Sequence, residues 1–218
     1  MKGMNVCVTA GPTREIIDPV RFISNNSTGK MGYAIAKEAM LRGADVTLIS
    51  GKVNIAPVPF VKLVDVISAK DMYDEVVKAA EYSDIIIKAA AVADYRPAVV
   101  SDNKIKKKDG DMSIELTRTE DIIGTIGKNK KKEQFLCGFS METENMLENS
   151  KAKLDKKNLD MIVANNVKVK GAGFGTDTNV VTIITRNDCR ELPIMSKEEV
   201  ADEILSYIMP VSYTHLRA

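Results

Sequence analysis

Histidine is almost missing from this sequence. Among 218 residues there is one, His215, and it stands in a carboxy-terminal stretch, 211–218, that follows Pro210 and shows no helical or strand pattern. We expect that stretch to lie outside the fold and the domain to occupy residues 1–210. With no histidine inside the domain, Ser-His-Asp and Cys-His catalysis are excluded, and so are histidine-ligated metal sites. Cysteine is scarce as well: Cys7, Cys137 and Cys189 are far apart, odd in number and without CxxC spacing. That excludes a disulfide framework and a thiolate zinc site, and it fits the reducing cytoplasm. No apolar run approaches the roughly 20 residues needed to cross a bilayer, and Met1 leads straight into a strand-like segment, so a soluble cytoplasmic protein without a membrane partner is expected. Nor is there an excess of charge. Lys and Arg total 31 against 30 Asp and Glu, which removes the basic surplus expected of a nucleic-acid binder. What remains, 44% hydrophobic and 28% charged residues, is the composition of a folded domain.

The pattern along the chain alternates. Met4 to Ala10 is a short β-branched run closed by Gly11-Pro12, the signature of a buried strand meeting a turn. Residues 29–43 place Met31, Ala34, Ile35, Ala39 and Met40 at helical spacing and stop at Gly43. Asp45 to Ser50 and Phe60 to Val66 read as strands, Ala69 to Tyr82 as a helix, and Asp84 to Ala90 as the strongest strand. A polar, Lys-rich stretch reaching Gly110 reads as an exposed flap, followed by a strand at Met112 to Thr117 and a helix near Glu120 to Lys128. Gln134 to Phe139 and Asp160 to Ala164 are further strands separated by a charged helix, Glu142 to Lys157. Asn179 to Thr185 and Arg190 to Pro193 read as an antiparallel pair, and Ser196 with Glu199 fits a capping box opening a last helix. The class is α/β: a Rossmann-like, doubly wound, mainly parallel sheet with a Lys-rich flap and a C-terminal antiparallel extension. Function then belongs at the carboxyl ends of the strands.

Four segments could carry chemistry. Gly11-Pro12-Thr13-Arg14-Glu15 and Ser24 to Gly32 bring glycines and a helix start together, which suits an anion; ordinary capping by Ser, Thr or Asn is the alternative. There is no GxGxxG after the first strand, no Walker A loop around Gly29-Lys30, and no acid at the end of the second strand, which stops at Ser50. The segment Lys88 to Pro97 follows the strongest strand with small residues that admit a flat ring, and Asp94 can bind a base or ribose or simply cap a turn. Lys104-Ile105-Lys106-Lys107-Lys108 is either a solvated charge run or a set of mobile point charges for phosphate. Lys128, Lys130, Lys131 and Lys132 read as a solvated helix end.

Taken together the segments resemble the phosphopantothenoylcysteine synthetases (phosphopantothenate-cysteine ligases) of bacterial, CTP-using type. The resemblance rests on Ala10-Gly-Pro-Thr-Arg-Glu15, Asp18-Pro-Val-Arg21, Ser24-Asn-Asn-Ser-Thr-Gly-Lys-Met-Gly32, Ala90-Ala-Val-Ala-Asp-Tyr-Arg96, Lys104-Ile-Lys-Lys107, Gly138-Phe139, Lys157-Asn-Leu-Asp160 and Ala164-Asn165, and it spans about residues 4 to 209. It implies a ligation in coenzyme A biosynthesis in which the carboxylate of 4'-phosphopantothenate attacks the α-phosphate of CTP. Pyrophosphate leaves, and the amine of L-cysteine then attacks the acyl-cytidylate. Such chemistry needs placement and charge stabilisation rather than a protein nucleophile.

By the same resemblance Asn25 contacts the acyl group, Arg21 binds substrate, and Lys104 closes from the flap over the activated acyl. CTP contacts fall on Lys88, Ala89 and Ala90 through their backbone, on Asp94, Lys104, Phe139, Lys153 and Lys157 through side chains, and on the turn Thr119, Glu120, Asp121 and Ile122. That turn departs from the family's Asn-Pro-Asp-Ile, which leaves its backbone contacts intact and puts its side-chain contacts in doubt. Lys153 and Lys157, four apart, share one helix face. Mg²⁺ is expected with the triphosphate, its protein ligands unassigned; no flavin is expected in this chain. A homodimer is implied, and in bacterial relatives a fused flavin-dependent decarboxylase. The competing readings are an NAD(P)-dependent oxidoreductase, which the missing glycine fingerprint disfavours, and a nucleotide-sensing scaffold without turnover, which Asn25, Asp94 and Lys104 disfavour.

Overall fold

Asn5 to Ala10 form the first strand, β1, with everything after Asn5 buried, as a strand covered on both faces must be. The computed structural model to which it belongs describes residues 1–107, 110–141, 146–165, 173 and 175–215, with backbone alone for 146–147 and 210–215. In chain order follow α1 (Lys30–Leu41), β2 (Asp45–Ser50), β3 (Lys62–Asp65), α2 (Ala69–Ala80), β4 (Ile85–Lys88), α3 (Ile122–Asn129), β5 (Phe135–Met141), α4 (Met146–Lys156), β6 (Met161–Asn165), β7 (Val181–Ile184), β8 (Cys189–Glu191) and α5 (Lys197–His215).

These strands make one eight-stranded sheet in the order β8-β7-β6-β5-β4-β1-β2-β3. Pairings from β3 across to β6 are parallel, and β7 and β8 add an antiparallel extension. The fold is therefore the Rossmann-like doubly wound class. Strands alternate side chains between faces, so Ile85 and Ile87 enter one core with Val6, Val8, Phe135 and Val163, closed by Ile35 of α1 and Ile204 and Leu205 of α5. Ile86 enters the other with Cys7, Leu136 and Ile162, closed by Met72 and Val76 of α2, Ile126 of α3 and Leu154 of α4. β1, β2 and β3 run outward in one direction, whereas α2 carries the chain back to place β4 on the other side of β1. The strand order thus reverses between β1 and β4, where a doubly wound sheet opens its ligand crevice.

Several boundaries differ from the sequence reading. The strand expected from Phe60 begins at Lys62; Phe60 itself is 94% exposed with a left-handed φ of 61°. The strand expected over Met112 to Thr117 is reduced to Leu116–Arg118, paired antiparallel with Tyr95–Pro97, a ribbon that no periodicity announces. Two other short ladders were also illegible, Glu15–Ile16 with Phe22–Ile23 and Thr178–Asn179 with Met195–Ser196. Lys130, assigned to a solvated helix end, is instead partly buried in an ion pair with Asp160 at 2.6 Å, and Asp160 also accepts the Leu136 N–H at 2.7 Å. α5 continues past Pro210 to His215, where no helical continuation was expected. The capping box at its start is as expected: Ser196 Oγ accepts from the Glu199 N–H, and the Glu199 carboxylate accepts from the Ser196 N–H at 2.7 Å. Lys108, residues 142–145 of the charged helix and the end of the tail lie outside the described residues.

Candidate functional site

The loops leaving β1 and β4 are knitted together at the reversal point. Ala91 N–H donates to the Gly11 carbonyl at 2.9 Å and Thr13 N–H to the Ala91 carbonyl at 3.3 Å, forming an isolated parallel bridge between Pro12 and Ala91. Thr9 Oγ1 accepts the Ala90 N–H and Thr13 Oγ1 the Ala93 N–H. Onto this seam the polar run before α1 is tied: Ser24 Oγ donates to the Thr13 carbonyl, and Asn25 Nδ2 donates to the Ala91 carbonyl at 2.6 Å. The other end of the Asn25 carboxamide accepts the Ser27 N–H at 3.1 Å, so the side chain is oriented at both ends while staying exposed.

Of the two readings of that run, capping by its hydroxyls does not occur. The residue that caps α1 is Gly29, in a left-handed conformation with φ 81°, and no side chain bonds into the first turn. By contrast Ser68 and Asp71 cap α2, and Asp121 caps α3. The first-turn N–H groups of α1 therefore keep their capacity for an anion. Gly32 lets this turn press onto the end of β1, since a Cβ there would stand 2.6 Å from Ala10 Cβ and 2.8 Å from the Thr9 carbonyl oxygen.

Two cavities lie at the carboxyl end of β4, one lined by Ala89 to Ala91 and the other by Lys88 and Val92 to Tyr95. The first, of about 160 Å³, is walled by the α1 turn (Ser27 to Gly32), Ala89, Ala90 and Ala91, Phe139 at the end of β5, and Asn165 and Asn179. Asn179 is fully buried, and the Oδ1 atoms of Asn165 and Asn179 are buried with no hydrogen-bond partner among the described residues. An orphaned acceptor in a cavity wall costs stability unless a ligand supplies the N–H or O–H it lacks. Lys197 closes one side of this cavity. Its ammonium donates to the Gly173 carbonyl at 3.0 Å and to that of Thr176, and burial, then Lys30, push its pKa down. Lys30 is turned away to Asp177 at 2.6 Å.

The second cavity, of about 340 Å³, is polar. Lys88, Asp94, Thr119, Glu120, Asp121, Ile122 and Lys157 line it together. Lys157 donates to Asp121 at 3.0 Å; burial opposes the charge on Asp121, but the Gly124 N–H and then Lys157 hold its carboxyl low. Lys88 is pushed down to about 8, chiefly by burial and next by Lys157, with Asp94 and Asp121 opposing. So most residues assigned to nucleotide by resemblance fall in one of two spaces, Lys88, Asp94, Lys157 and the 119–122 turn in one and Ala89, Ala90 and Phe139 in the other, while Lys104 lines neither. Lys153 is exposed on α4 and lines neither.

Arg21, partly exposed, has its guanidinium engaged within the protein. Its guanidinium bonds Asp18 and donates to the Ile105 carbonyl at 3.0 Å, while Ile105 N–H donates to Asp18 at 3.1 Å. The Arg21 contact, with N–H groups of Val20, Ile105 and Arg21 itself, holds Asp18 far below the usual carboxylate range against the cost of burial. This clamp fixes the base of the flap, and Lys104, exposed, is the residue beside it. Asp18 was read only as part of a motif. From sequence Asn165 has a place only in the Ala164-Asn165 motif and Asn179 only at the start of a strand; their orphaned oxygens are visible only once the strands are assembled. Cys7 and Cys137 are buried, and burial pushes Cys7 up to about 12 and Cys137 higher still, so neither is a thiolate. Among the described residues no cluster of three or more His, Cys, Asp or Glu could hold a metal ion.

Comparison with known proteins gives a family model, described as DNA/pantothenate metabolism flavoprotein C-terminal domain, that matches residues 1–211. The coenzyme A biosynthesis bifunctional protein CoaBC of Bacillus subtilis (strain 168) is 53% identical over 214 residues, which cover 97% of this chain and 52% of that protein. The chain thus spans about half the length of such relatives. A crystal structure of the C-terminal domain of a CoaBC protein superposes with a TM-score of 0.82 at 47% identity, covering 97% of this chain and 98% of that one. A histidine-to-alanine mutant of Cab2, solved in complex with phosphopantothenate-cysteine, shares the fold with a TM-score of 0.79 at 15% identity, covering 100% of this chain and 90% of that one.

Proposed function

Because the chain belongs to the DNA/pantothenate metabolism flavoprotein C-terminal domain family, we propose that it is a phosphopantothenate-cysteine ligase of coenzyme A biosynthesis, with CTP as co-substrate. The observation that carries this reading is the presence of two cavities at the end of β4, one lined by Ala89–Ala91 and the other by Lys88 and Val92–Tyr95, with Asn25 fastened to the Ala91 carbonyl. In the first step a carboxylate oxygen of 4'-phosphopantothenate attacks the α-phosphorus of CTP and pyrophosphate departs. In the second the amine of L-cysteine attacks the acyl carbon, CMP departs and the amine loses its proton. Neither step asks for a protein nucleophile, and both gain from fixed positive charge and donors.

The parts of the site divide accordingly. The base stacks on Phe139 in the first cavity, with its exocyclic amine donating to the orphaned oxygens of Asn165 and Asn179. The ribose meets Asp94, and the phosphates extend into the polar cavity toward the 119–122 turn and Lys157, with Lys153 at its outer approach. Asn25, held at Ala91, offers its remaining amide hydrogen to the oxyanion formed as cysteine attacks. Lys104 swings in from the flap whose base Asp18, Arg21 and Ile105 secure. Mg²⁺ would be held mainly by phosphate oxygens and water, with the carboxylates of Asp94 and Glu120, which line the polar cavity, available to it; when bound it would neutralise phosphate charge.

We place the activity in the cytoplasm, in a homodimer to which the later strands contribute, with the product passing to a flavin-dependent decarboxylase. No described helix is long and apolar enough to cross a membrane. An oxidoreductase reading gains no support: β2 ends in Ser50, buried with its hydroxyl turned to the Gly51 carbonyl, where a dinucleotide ribose would need an acid. The test is to mix the protein with CTP, Mg²⁺ and 4'-phosphopantothenate, without cysteine. Pyrophosphate and a bound acyl-cytidylate detected by mass are expected; NADH binding with no pyrophosphate would overturn the proposal.

A further inference from the structure

Strand β4 has one residue out of keeping with its file. Ile86 and Lys88 point to the same sheet face, in register with Cys7 and Thr9 of β1 and with Leu136 and Gly138 of β5. Every other member of that file is apolar, small or a hydroxyl, and its lower part belongs to a closed core. A leucine would pack there as well as a lysine stem does. Lys88 nonetheless lifts an ammonium to the carboxyl end of the sheet, into the wall of the 340 Å³ cavity.

The groups around it leave that ammonium unpaired. Facing the same space are Asp94 and Tyr95 from the loop after β4, Arg118, Glu120 and Asp121 from the approach to α3, and Lys157 after α4. Asp121 is bonded to Lys157 and to the Gly124 N–H. Lys88 has no hydrogen bond or ion pair to any described residue. Its charge is disfavoured by burial and by Lys157; Asp94 and Asp121 act on it only through space, offset part of that cost and leave it net disfavoured. A charged group kept unpaired at a strand end, where an apolar side chain would fill the space, marks a place where a ligand supplies the opposite charge.

We propose that the Lys88 side chain is a direct anion contact for the nucleotide's polyphosphate, in addition to any contact made by the backbone of this residue. The inference rests on the reading of the second cavity as the phosphate end of the CTP site. An anion there pairs the ammonium and raises its pKa, so binding takes up protons wherever the free protein holds Lys88 partly neutral. Affinity should be full below about pH 8 and fall above it, because the free ammonium has a pKa of about 8.

The experiment measures CTP and inorganic pyrophosphate binding by calorimetry, and steady-state kinetics, for wild type, Lys88→Met and Lys88→Arg between pH 6.5 and about 9.5. Lys88→Met should fold normally, with a Tm no lower than wild type, since it continues the apolar file. It should weaken CTP and pyrophosphate binding about tenfold or more, as loss of a charge-assisted bond does. The KM for cysteine should stay unchanged and the alkaline fall in CTP affinity should disappear; Lys88→Arg should recover most of the affinity without the fall near pH 8. If wild type binds CTP and Lys88→Met binds it equally, with the same pH profile, the assignment of Lys88 is wrong while the ligase reading stands. If wild type binds neither CTP nor pyrophosphate, both are wrong.

Discussion

Asn25, to which we assign the oxyanion contact, illustrates how few bonds orient an exposed side chain when its backbone neighbours are fixed. One hydrogen bond to the Ala91 carbonyl and one from the Ser27 N–H set its plane, and it stays exposed to whatever occupies the seam. On the proposed role, replacement by alanine removes the oxyanion donor, a loss that elsewhere costs on the order of 10²–10³ in turnover. Asn25→Ala should therefore still form the acyl-cytidylate but convert it with cysteine roughly a hundredfold more slowly, seen as accumulation of the bound intermediate in a quenched time course. Lys104→Ala should show the opposite split, with slow pyrophosphate release and no accumulation. Near-normal turnover in both would discard these roles. At this scale the sequence was informative about residue types and silent about partners. Asn25 and Lys104 stand in recognisable runs, whereas the clamp on Arg21 joins Asp18 to a backbone amide at Ile105, far along the chain. No local pattern encodes that pairing. The orphaned oxygens of Asn165 and Asn179 are illegible for the same reason, because they arise only when the end of β6 meets the Thr178–Asn179 ladder beside α1.

At the scale of elements, the long regular pieces were the legible ones. Asp45–Ser50 has the bounds its β-branched run implied, and α1 and α2 follow the apolar spacing read for them. Ile85–Ile87 could be recognised as a doubly covered strand because three consecutive isoleucines have no solvent face to spare. The Tyr95–Pro97 and Leu116–Arg118 ribbon was not legible, since it is held by hydrogen bonds across a loop, including Ala98 N–H to the Glu115 carbonyl and Thr119 N–H to that of Asp94. Gly32 shows how an element boundary serves the site without a standard fingerprint. Its lack of a side chain brings the open turn of α1 onto the end of β1, the service that the last glycine of a dinucleotide motif performs. Gly32→Ala should destabilise by about 1–3 kcal/mol through overpacking, and at this chain length each kcal/mol lowers Tm by roughly 2–4 °C. Calorimetry giving an unchanged Tm would mean that α1 can retreat freely from β1.

For the molecule as a whole, the reversal of strand order between β1 and β4 is what turns a row of weak motifs into one site. The segments 11–15, 24–32 and 88–97 are separated in sequence yet meet there, and the 104–107 run is tied in through Ile105. Alternation of strands and helices was enough to foresee a doubly wound sheet and a crevice at its carboxyl edge. It was not enough to foresee two cavities at the end of β4, a less polar one lined by Ala89–Ala91 and a more polar one lined by Lys88 and Val92–Tyr95. That one nucleotide occupies both is the central claim, and a crystal of the protein soaked with CTP and Mg²⁺ tests it most directly. The account predicts the cytosine against Phe139 and the two asparagine oxygens, with the phosphates in the polar cavity beside Lys88 and Lys157. Density for the whole nucleotide in one cavity, or away from the end of β4 altogether, would contradict it.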